Sequence, residues 1–457
     1  MAGNRIREET SKADFTLSIF RNGERLEQDG EYNFSSFVMS VEIFESIASS
    51  CMEATLTFTD SGGYLGVMTG SEKFRLQISS YLMDRDYYFR SYEIKSRTKV
   101  NEFTDTFIVN LVSDEFLRNE VKNVFGNTSV IFKKNNESNA IVKDLIKDKK
   151  YIGTRKRFFG EETINKQNFV ASNWRPFDTI YWIAQRSIRK AKKGGTLQNG
   201  FAFWENALGF NFKSLDKMID DVNDQGEEDT DFTSGKAKTH TYTFATRGSD
   251  AGASDPFKIL GLSFPQERNF LLGLRDGDWS GYSVGFDPVT ISQSKMGLST
   301  DMSIDAYRYS ISESWQKMSH LGGKKEKSIL KQMDTDIQDL IDYPKRVRYT
   351  IMPNQIFDPK FKDNPQKNYE ALVELQAYQW MRIESLKSVK MLVRVPGNLD
   401  LYSGKGVNIV VPATVKTGEN TIVDAKYSGR YLIQTVVHKL VNEELHTEMM
   451  LLKDSVV

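Results

Sequence analysis

Short runs in which hydrophobic and polar residues alternate dominate the first 112 residues. Turn-forming sequences such as Arg21-Asn22-Gly23 separate these runs. Their hydrophobic members are Phe15, Leu17 and Ile19; Phe37, Met39, Val41 and Ile43; Ala54, Leu56 and Phe58; Phe74, Leu76 and Ile78; and Phe107, Val109 and Leu111. A period of two buries one face of a β-strand and leaves the other face polar. Several such strands at close spacing predict an antiparallel barrel or sandwich that ends near Val112.

The next stretch has a different pattern, with hydrophobic residues at helical spacing. Ser138 is placed as the cap of one predicted helix, and a second helix is predicted to begin near Pro176. An aromatic hairpin is predicted over residues 201–215, and an acidic run over 216–231 follows it. Because that run has few hydrophobic residues, it indicates a solvated linker.

Strand patterns return in the second half of the chain, around a long predicted helix at 369–388. The predicted strands cover 241–246, 259–274, 391–395, 407–411, 431–437 and 447–452. Residues 328–340 predict a further helix, and the rest of 288–365 gives no clear pattern. The fold class is therefore α+β and β-rich. The predicted boundaries are 1–112, 113–230 with the acidic linker at its end, 231–290, an insertion at 291–365, and 366–457.

Composition excludes several classes of protein. The 457 residues include 61 Lys and Arg and 61 Asp and Glu, so the formal net charge is zero and there is no overall basic footprint for duplex DNA. A single cysteine, Cys51, excludes an internal disulfide and a Cys-rich metal centre. No apolar run approaches the ~20 residues of a membrane-spanning helix, and the N-terminus lacks the apolar region of a secretory signal. These features predict a soluble chain made in a cytoplasm.

Residues 281–285 spell the nucleophile-elbow pattern Gly-x-Ser-x-Gly, with Ser283 at its centre. That elbow requires a strand before the serine and a helix after it. Pro288 disfavours helical geometry at Asp287, and the residues that follow favour a strand. A Gly-rich strand or turn is therefore favoured over a serine hydrolase.

The overlapping stretch 276–287 resembles a calcium-binding loop. Asp276 and Asp278 occupy its first and third positions, Gly281 its sixth and Asp287 its twelfth. Asp at the twelfth position is shorter than the bidentate Glu of such loops, and Ser283 replaces an apolar residue at the eighth. A tight turn that uses Asp and Gly is favoured over a calcium site.

Other candidate chemistry is scattered along the chain. The four histidines are His240, His320, His438 and His446. His438 and His446 lie in or beside predicted strands at a spacing that suits no zinc site, so packing roles are favoured. The basic residues between Arg186 and Lys193 indicate a solvated helix end rather than a nucleic-acid contact. With 61 acidic residues, a glycosidase-like carboxylate pair stays open.

Several stretches together resemble one family, the baseplate hub proteins of contractile-tailed phages, which share a fold with the N-terminal part of type VI secretion VgrG spike proteins. The closing stretches 398–407, 428–433, 436–438 and 445–449 resemble the end of these hubs. The opening strands, 139–147, 174–187, 201–215 and 277–287 resemble further parts. The residues that carry the likeness to the second barrel are Gly277, Tyr282, Ser283, Asp287, Gly404, Gly429, Tyr431 and His438. Residues 288–365 depart from the family's pattern.

The resemblance implies two similar antiparallel "tube" barrels, with inserted α/β domains, that three copies arrange as a pseudo-sixfold ring. The first barrel would be 1–112, and the second would combine 231–290 with 366–457. A structural hub is implied that joins the hexameric tail tube to the trimeric central spike and leaves a channel for DNA. No catalytic residue, cofactor or metal is carried over.

The implied partners are two further copies, tube or tube-initiator proteins, the spike and neighbouring wedge proteins. DNA would pass without specific binding, and no stable membrane insertion is implied. The implied location is the virion baseplate, assembled in the host cytoplasm.

Two alternatives remain beside this interpretation. One is a cell-wall or ester hydrolase that uses Ser283 or a carboxylate pair. The other is a type VI secretion spike-like protein, which is disfavoured because the chain stops at Val457, soon after the second predicted barrel.

Overall fold

A computed structural model describes the protein over most of its length, with strands at both ends of the chain and most helices between them. It covers residues 11–27, 33–61, 63, 68–132, 136–190, 198–225, 238–244, 255–265, 270–287, 307–323, 333–343, 346–351, 363–417 and 420–455. Within these residues no helix is both long and apolar enough to cross a membrane.

The strands and helices follow in chain order. The first strands are β1 (Asp14–Arg21), β2 (Glu24–Arg25), β3 (Val38–Ser46), β4 (Glu53–Asp60), β5 (Lys73–Ser79), β6 (Asp84–Lys99) and β7 (Asp105–Val112). The next elements are α1 (Asp114–Val121), β8 (Val124–Asn127), α2 (Thr128–Ile131), α3 (Ser138–Lys147), β9 (Arg157–Gly160), β10 (Val170–Trp174), α4 (Pro176–Ala184), β11 (Phe201–Asn206), β12 (Gly209–Ser214) and α5 (Leu215–Asn223).

The second half begins with short elements and ends in long strands. The short elements are β13 (His240–Thr243), β14 (Gly261–Ser263), α6 (Phe270–Asp276), β15 (Ser280–Phe286), β16 (Tyr307–Ser310), α7 (Ile311–Ser314), α8 (Thr335–Ile341) and β17 (Val347–Ile351). They are followed by α9 (Pro365–Leu386), β18 (Val389–Pro396), β19 (Gly406–Val410), β20 (Pro412–Thr417), β21 (Asn420–Val423), β22 (Gly429–Val441) and β23 (Glu444–Lys453).

One sheet of thirteen strands joins the two ends of the chain. Its order is β14-β18-β23-β22-β3-β4-β7-β6-β5-β1-β2, with β19 paired to β22 and β13 paired to β19. The pairings are antiparallel except for β13 with β19. The predicted β-rich class and antiparallel strands are therefore confirmed.

Two hydrophobic cores lie along this sheet. The first comes from the opening strands and includes Leu17, Ile43 and Phe58. The second comes from the closing strands and includes Val393 and Ile433. In both cores alternate residues point inward, so the period of two in the sequence is the burial pattern of the strands.

Strand β22 connects the two halves of the sheet. Its first part pairs with β19, and its second part pairs with β3 from Thr435 opposite Ser46 to Val441 opposite Ser40. A bulge between Ile433 and Thr435 in its ladder with β23 separates the two parts. A bulge bends a strand and increases its twist, so it lets one long strand serve two neighbours.

The middle of the chain packs helices and an aromatic hairpin around its own core. Helix α4 begins at Pro176, as predicted, and β11 pairs with β12 as the predicted hairpin. Helix α3 is also present, but Ser138 is its first residue and Glu137, rather than Ser138, occupies the cap position. Phe177 lies against Phe203 with ring centroids 5.3 Å apart. Because Phe203 also stacks on Phe210, the hairpin forms one wall of this core.

The prediction of an acidic linker is wrong for residues 216–225, the part of the acidic run that the structure describes. Helix α5 begins directly after Ser214, whose side chain accepts a hydrogen bond from the backbone of Lys217. Met218, Ile219 and Val222 are buried on one side of this helix. Acidic residues on the remaining positions concealed an amphipathic helix in the sequence. Residues 226–231 lie outside the described part of the chain.

A small sheet of order β16-β15-β17 packs against the long helix α9. The strand predicted over 259–274 is confirmed only at β14, because Phe270 begins α6 and packs on Trp279. Helix α9 starts four residues before its predicted start, where Asn364 caps its first turn. Of the helix predicted over 328–340, the described residues form α8, and residue 328 lies outside them.

Candidate assembly surfaces

The side of the main sheet that faces away from the two cores carries polar residues together with hydrophobic ones. Where β22 meets β3, one row of paired positions crosses four strands and contains Glu448, Val437, Phe44 and Glu53. Strands β3, β4 and β7 contain no Lys or Arg. On β22, Lys439 reaches the carboxylate of Glu448 at 3.1 Å. The centre of this surface therefore carries carboxylates, small polar groups and the hydrophobic side chains of Val437 and Phe44, without an excess of positive charge.

Among the described residues, half of strand β6 has no partner strand on one of its edges. Strand β5 pairs with β6 only between Asp84 and Arg90, whereas β7 pairs with it as far as Lys99. From Glu93 to Lys99 the strand is exposed and pairs only with β7 among the described residues. At the tip that follows, Phe103 is 78% exposed. Such an edge is a ready template for another strand.

The aromatic hairpin of the middle region docks on the main sheet through buried polar groups. The backbone N–H of Ala207 donates to Oε2 of Glu45 on β3 at 2.9 Å. Indole Nε1 of Trp204 donates to the carbonyl of Ser403 at 3.3 Å. Gly404 follows at φ +87°, and a Cβ there would lie 2.9 Å from the Trp204 ring. A glycine is thus required for the close approach of hairpin and sheet.

Two glutamates are buried at this docking surface. Burial raises the pKa of Glu45 to about 8, and the hydrogen bond from Ala207 offsets only part of this effect. Burial also raises the pKa of Glu205, although the Lys156 ammonium lies 2.5 Å from its Oε1. The same ammonium lies 2.7 Å from Glu115. A buried carboxyl is costly to ionise unless a partner compensates it, so this surface depends on its pairing.

The eight residues that carry the likeness to a second barrel fall into two separate sheets. Those near the end of the chain lie in or beside the main sheet, and they are Gly404, Gly429, Tyr431 and His438. Those before residue 290 lie in or beside the small sheet, and they are Gly277, Tyr282, Ser283 and Asp287. The structure brings together each set of four but not the two sets.

The four residues near the end of the chain contribute to the packing and the backbone geometry of the main sheet. Tyr431 is buried and its hydroxyl donates to the carbonyl of Tyr427 at 2.7 Å. Burial lowers the pKa of His438 to about 3, so its ring is neutral, with Nδ1 placed 3.0 Å from Oγ1 of Thr447. Gly429 opens β22 at φ +117°. His438 thus lies buried within β22 of the main sheet.

Ser283 does not sit on an elbow. It lies inside β15, where it pairs with Tyr307 on one side and Arg348 on the other. It is buried, and its hydroxyl donates to the carbonyl of Val373 at 3.4 Å. A nucleophile on a sharp exposed turn is what the hydrolase hypothesis needs, and the geometry contradicts that hypothesis for Ser283.

The calcium-like stretch does not form a ligand loop. Asp276 ends helix α6, and β15 then runs extended from Ser280 to Phe286. At ~3.3 Å per residue the strand carries Asp287 about 23 Å away from Ser280. The hydroxyl of Ser280 instead donates to the carbonyl of Ile341 at 2.6 Å. Within the described residues no three His, Cys, Asp or Glu side chains are grouped as metal ligands.

The basic cluster that begins at Arg186 is not a solvated helix end. Helix α4 ends at Ala184, before the cluster. Arg186 lies over the ring of Trp182 at 4.0 Å. Arg189 is nearly buried and pairs with Glu161 at 2.6 Å and with Asp220. Arg186 and Arg189 therefore help to hold the middle region together, whereas Lys190 is exposed. Lys192 and Lys193 lie outside the described residues.

Sequence reasoning missed the polar docking residues Glu45, Glu205 and Lys156. The signal that could have found Glu45 is its position on β3: Glu45 is buried, whereas Glu42, the preceding acidic residue of the same strand, is exposed. Their partners are more than 40 residues away along the chain. The pairing could not be inferred from local spacing.

Comparisons with known proteins agree with this architecture. No protein-family model matches the sequence, and no curated protein matches it. The 43 kDa tail protein of prophage MuSo2 from Shewanella oneidensis has a TM-score of 0.50 and 9% identity, over 97% of this chain and 100% of that one. The chain has a phage tail-protein fold. The resemblance to phage tail proteins expected from the sequence is thereby confirmed at the level of the fold.

Two further solved structures are similar to the chain. A tail protein from Neisseria meningitidis MC58 has a TM-score of 0.46 and 10% identity, over 96% of this chain and 97% of that one. An Escherichia coli component of the type VI secretion system has a TM-score of 0.41 and 9% identity, over 91% of this chain and 73% of that one.

Proposed function

We propose that the protein is the central hub of a contractile phage baseplate, a structural adaptor between the tail tube and the central spike. The observation that supports this most directly is the continuous sheet with two cores, in which an N-terminal and a C-terminal β-module join edge to edge at β3 and β22. Three copies with two such modules each would present six modules to a hexameric tube and three subunits to a trimeric spike.

In this proposal the modules are the two tube barrels. The first comprises residues 1–112, and the second combines residues 231–269 of the predicted 231–290 with 366–457. Residues 113–230 supply the middle domain. In the small sheet of β15, β16 and β17, residues 280–286 pair with strands inside the 291–365 insertion, so we propose that the insertion begins near residue 270 rather than 291.

The second half of β6, Glu93–Lys99, is the proposed contact between copies. A head-to-tail pairing of Glu93–Lys99 with the opposite end of the neighbour's sheet, at β14 and β18, would close a ring of three. Closure of this kind removes exposed strand edges. The side of the sheet that faces away from the two cores would then line the channel.

That surface suits the passage of DNA. Binding to the phosphate backbone rises with each Lys or Arg that contacts it, and β3, β4 and β7 contain neither residue. The proposed role is therefore passage without specific binding. The proposed partners are tube or tube-initiator proteins, the spike and wedge proteins of the virion baseplate.

Mass and symmetry in solution test the proposal. The full chain is expected to form particles near three times its 52.3 kDa mass, with a threefold ring and a central hole in electron micrographs. Successive residues of an edge strand direct their N–H groups alternately towards the neighbouring strand and towards the open edge. Ile94→Pro and Lys95→Pro are therefore tested separately. We expect one to dissolve the trimer while the fold persists. A monomer at high concentration would refute the proposal.

A further inference from the structure

A network of four buried charged side chains lies where helix α5, helix α9, the end of β23 and the segment Trp315–Gly322 meet. Asp216, Arg382 and Asp454 have side chains with no exposed surface, and that of His320 is 5% exposed. Arg382 donates to Oδ2 of Asp454 at 3.1 Å, and its Nε lies 3.6 Å from Asp216. Four separate stretches of chain therefore converge on one guanidinium and two carboxylates.

The hydrogen bonds of His320 determine its protons. Nε2 lies 2.7 Å from the carbonyl oxygen of Trp315, which can only accept, so Nε2 carries a proton. Nδ1 lies 2.9 Å from Oδ2 of Asp454. Asp454 also accepts from Arg382 and from the backbone N–H of Leu321. A buried carboxylate that already accepts from a guanidinium and from a backbone N–H is ionised and can only accept, so Nδ1 donates as well.

The pKa of Asp454 agrees with this assignment. Burial raises it, but Arg382 and the hydrogen bond from His320 outweigh burial and hold it below its ordinary value. With both ring nitrogens protonated, the two cations balance Asp216 and Asp454. An uncompensated buried charge would be strongly destabilising.

The segment that His320 belongs to is attached to α5 mainly by polar contacts. Ser319 donates through its N–H to Asp216 at 3.1 Å and through its hydroxyl to Asp220 at 2.8 Å. Asn223 exchanges two hydrogen bonds with the backbone at His320 and Gly322. Leu321 anchors the segment in the hydrophobic cluster beneath. The strength of such an attachment depends on the charge of the carboxylates that accept its hydrogen bonds.

We infer that His320 is a proton-dependent latch, which holds the segment Trp315–Gly322 against α5 and the end of β23 while both its ring nitrogens are protonated. When Nδ1 loses its proton, a lone pair faces the Asp454 carboxylate 2.9 Å away, and the network gains a net negative charge. The segment then opens more readily. The inference does not depend on the proposed hub function.

The charged groups around the latch come from every element packed on it. Helix α5 contributes Asp216 and Asp220, and α9 contributes Arg382 and the hydroxyl of Tyr378, which donates to Asp216 at 2.8 Å. Asp220 also pairs with Arg189. None of these groups is an imidazole, and imidazoles are the side chains that ordinarily exchange a proton between pH 5 and 8. Among the described groups that face the network, the imidazole is that of His320.

Hydrogen exchange on the full chain tests the latch. The protection of the Ser319 and Leu321 amides, corrected for intrinsic exchange, should fall at least about tenfold between about pH 5.5 and 8.5. The amide of Leu56, in the first core, serves as the reference for global unfolding. Constant protection at Ser319 and Leu321, or a fall shared equally by Leu56, would overturn the inference.

The variant Asp454→Asn provides a second test. Its amide can donate to the lone pair of a neutral ring, and the remaining pair of Asp216 with Arg382 is already balanced. Protection in this variant should be lower than in the wild type near pH 5.5, because Arg382 loses an acceptor, but should not change with pH. Nitrogen NMR of the ring at pH 5.5 should show both nitrogens protonated in the wild-type chain, whatever the stability of the variant. A bare Nδ1 there would overturn the inference.

Discussion

Replacement of the buried Glu45 by glutamine should stabilise the protein at neutral pH. The amide oxygen of the introduced glutamine can still accept the bond from Ala207, while the ionisable group is lost. The pKa of Glu45 rises from an ordinary 4.5 to about 8 in the fold. Folding at pH 7 must therefore protonate a carboxyl that is ionised in the unfolded chain, which costs about 3 kcal/mol.

The pH dependence of this effect has a definite sign. Between pH 4.5 and about 8 the folded chain holds a proton that the unfolded chain does not, so wild-type stability is lost as pH rises through this window. Urea denaturation should give Glu45→Gln an advantage of about 2–3 kcal/mol at pH 7 that shrinks below about 1 kcal/mol near pH 5.

A matched control lies three residues earlier on the same strand. Glu42 has a side chain that is 52% exposed and lies 3.9 Å from Lys439. Glu42→Gln removes the same charge but should change stability by no more than about 0.5 kcal/mol at any pH. If Glu45→Gln is destabilising at pH 7, or if its advantage is the same at pH 5, the assignment of a protonated, buried Glu45 is wrong.

Two further substitutions test the contact between hairpin and sheet. Gly404→Ala should cost about 2–4 kcal/mol in urea denaturation, because alanine is strained at φ +87° and its Cβ meets the ring of Trp204. Lys156→Met should cost about 2–4 kcal/mol at pH 7, because Glu115 and Glu205 then share a buried site without a cation. That loss should diminish towards pH 4, where both carboxyls can take up protons.

Controls for these substitutions lie in the same chain. Gly323 has φ +99°, and a methyl group in place of its hydrogen would meet nothing within 4 Å, so Gly323→Ala isolates backbone strain and should cost about 1 kcal/mol. Lys213 pairs with Asp221 at 2.8 Å near the surface, and Lys213→Met should cost less than about 1 kcal/mol. Equal losses at test and control sites would contradict the proposed causes.

The strands at both ends of the chain were predictable because their burial alternates. Val41 and Ile43 face one core, as do Ala54 and Leu56 on the next strand, whereas the intervening Glu42 and Thr55 do not. Their neighbours were not predictable: β3 pairs with β22, almost 400 residues later in the sequence. Register between distant strands depends on tertiary packing and leaves no local pattern.

The errors have local physical causes. The run from Phe270 to Leu274 is short and apolar, and such a run does not distinguish a strand from a helix. In α5, Asp216 is buried although the sequence around it is acidic, because Tyr378 and Arg382 approach it from a helix more than 160 residues away. Composition alone assigned that residue to solvent.

The parts of this protein meet through buried polar groups at two places, and this affects how precisely they are held. Glu45 accepts a hydrogen bond from the hairpin of the middle region, and Asp454 is hydrogen-bonded to His320 in the segment Trp315–Gly322. Apolar contacts tolerate small shifts, whereas a buried carboxyl that loses its donor costs several kcal/mol. Each unit is therefore confined to one position on the sheet. In the hub role that we propose, the protein would have to match a sixfold tube and a threefold spike and would need such fixed geometry. Loosening either contact should then reduce assembly before it unfolds the chain.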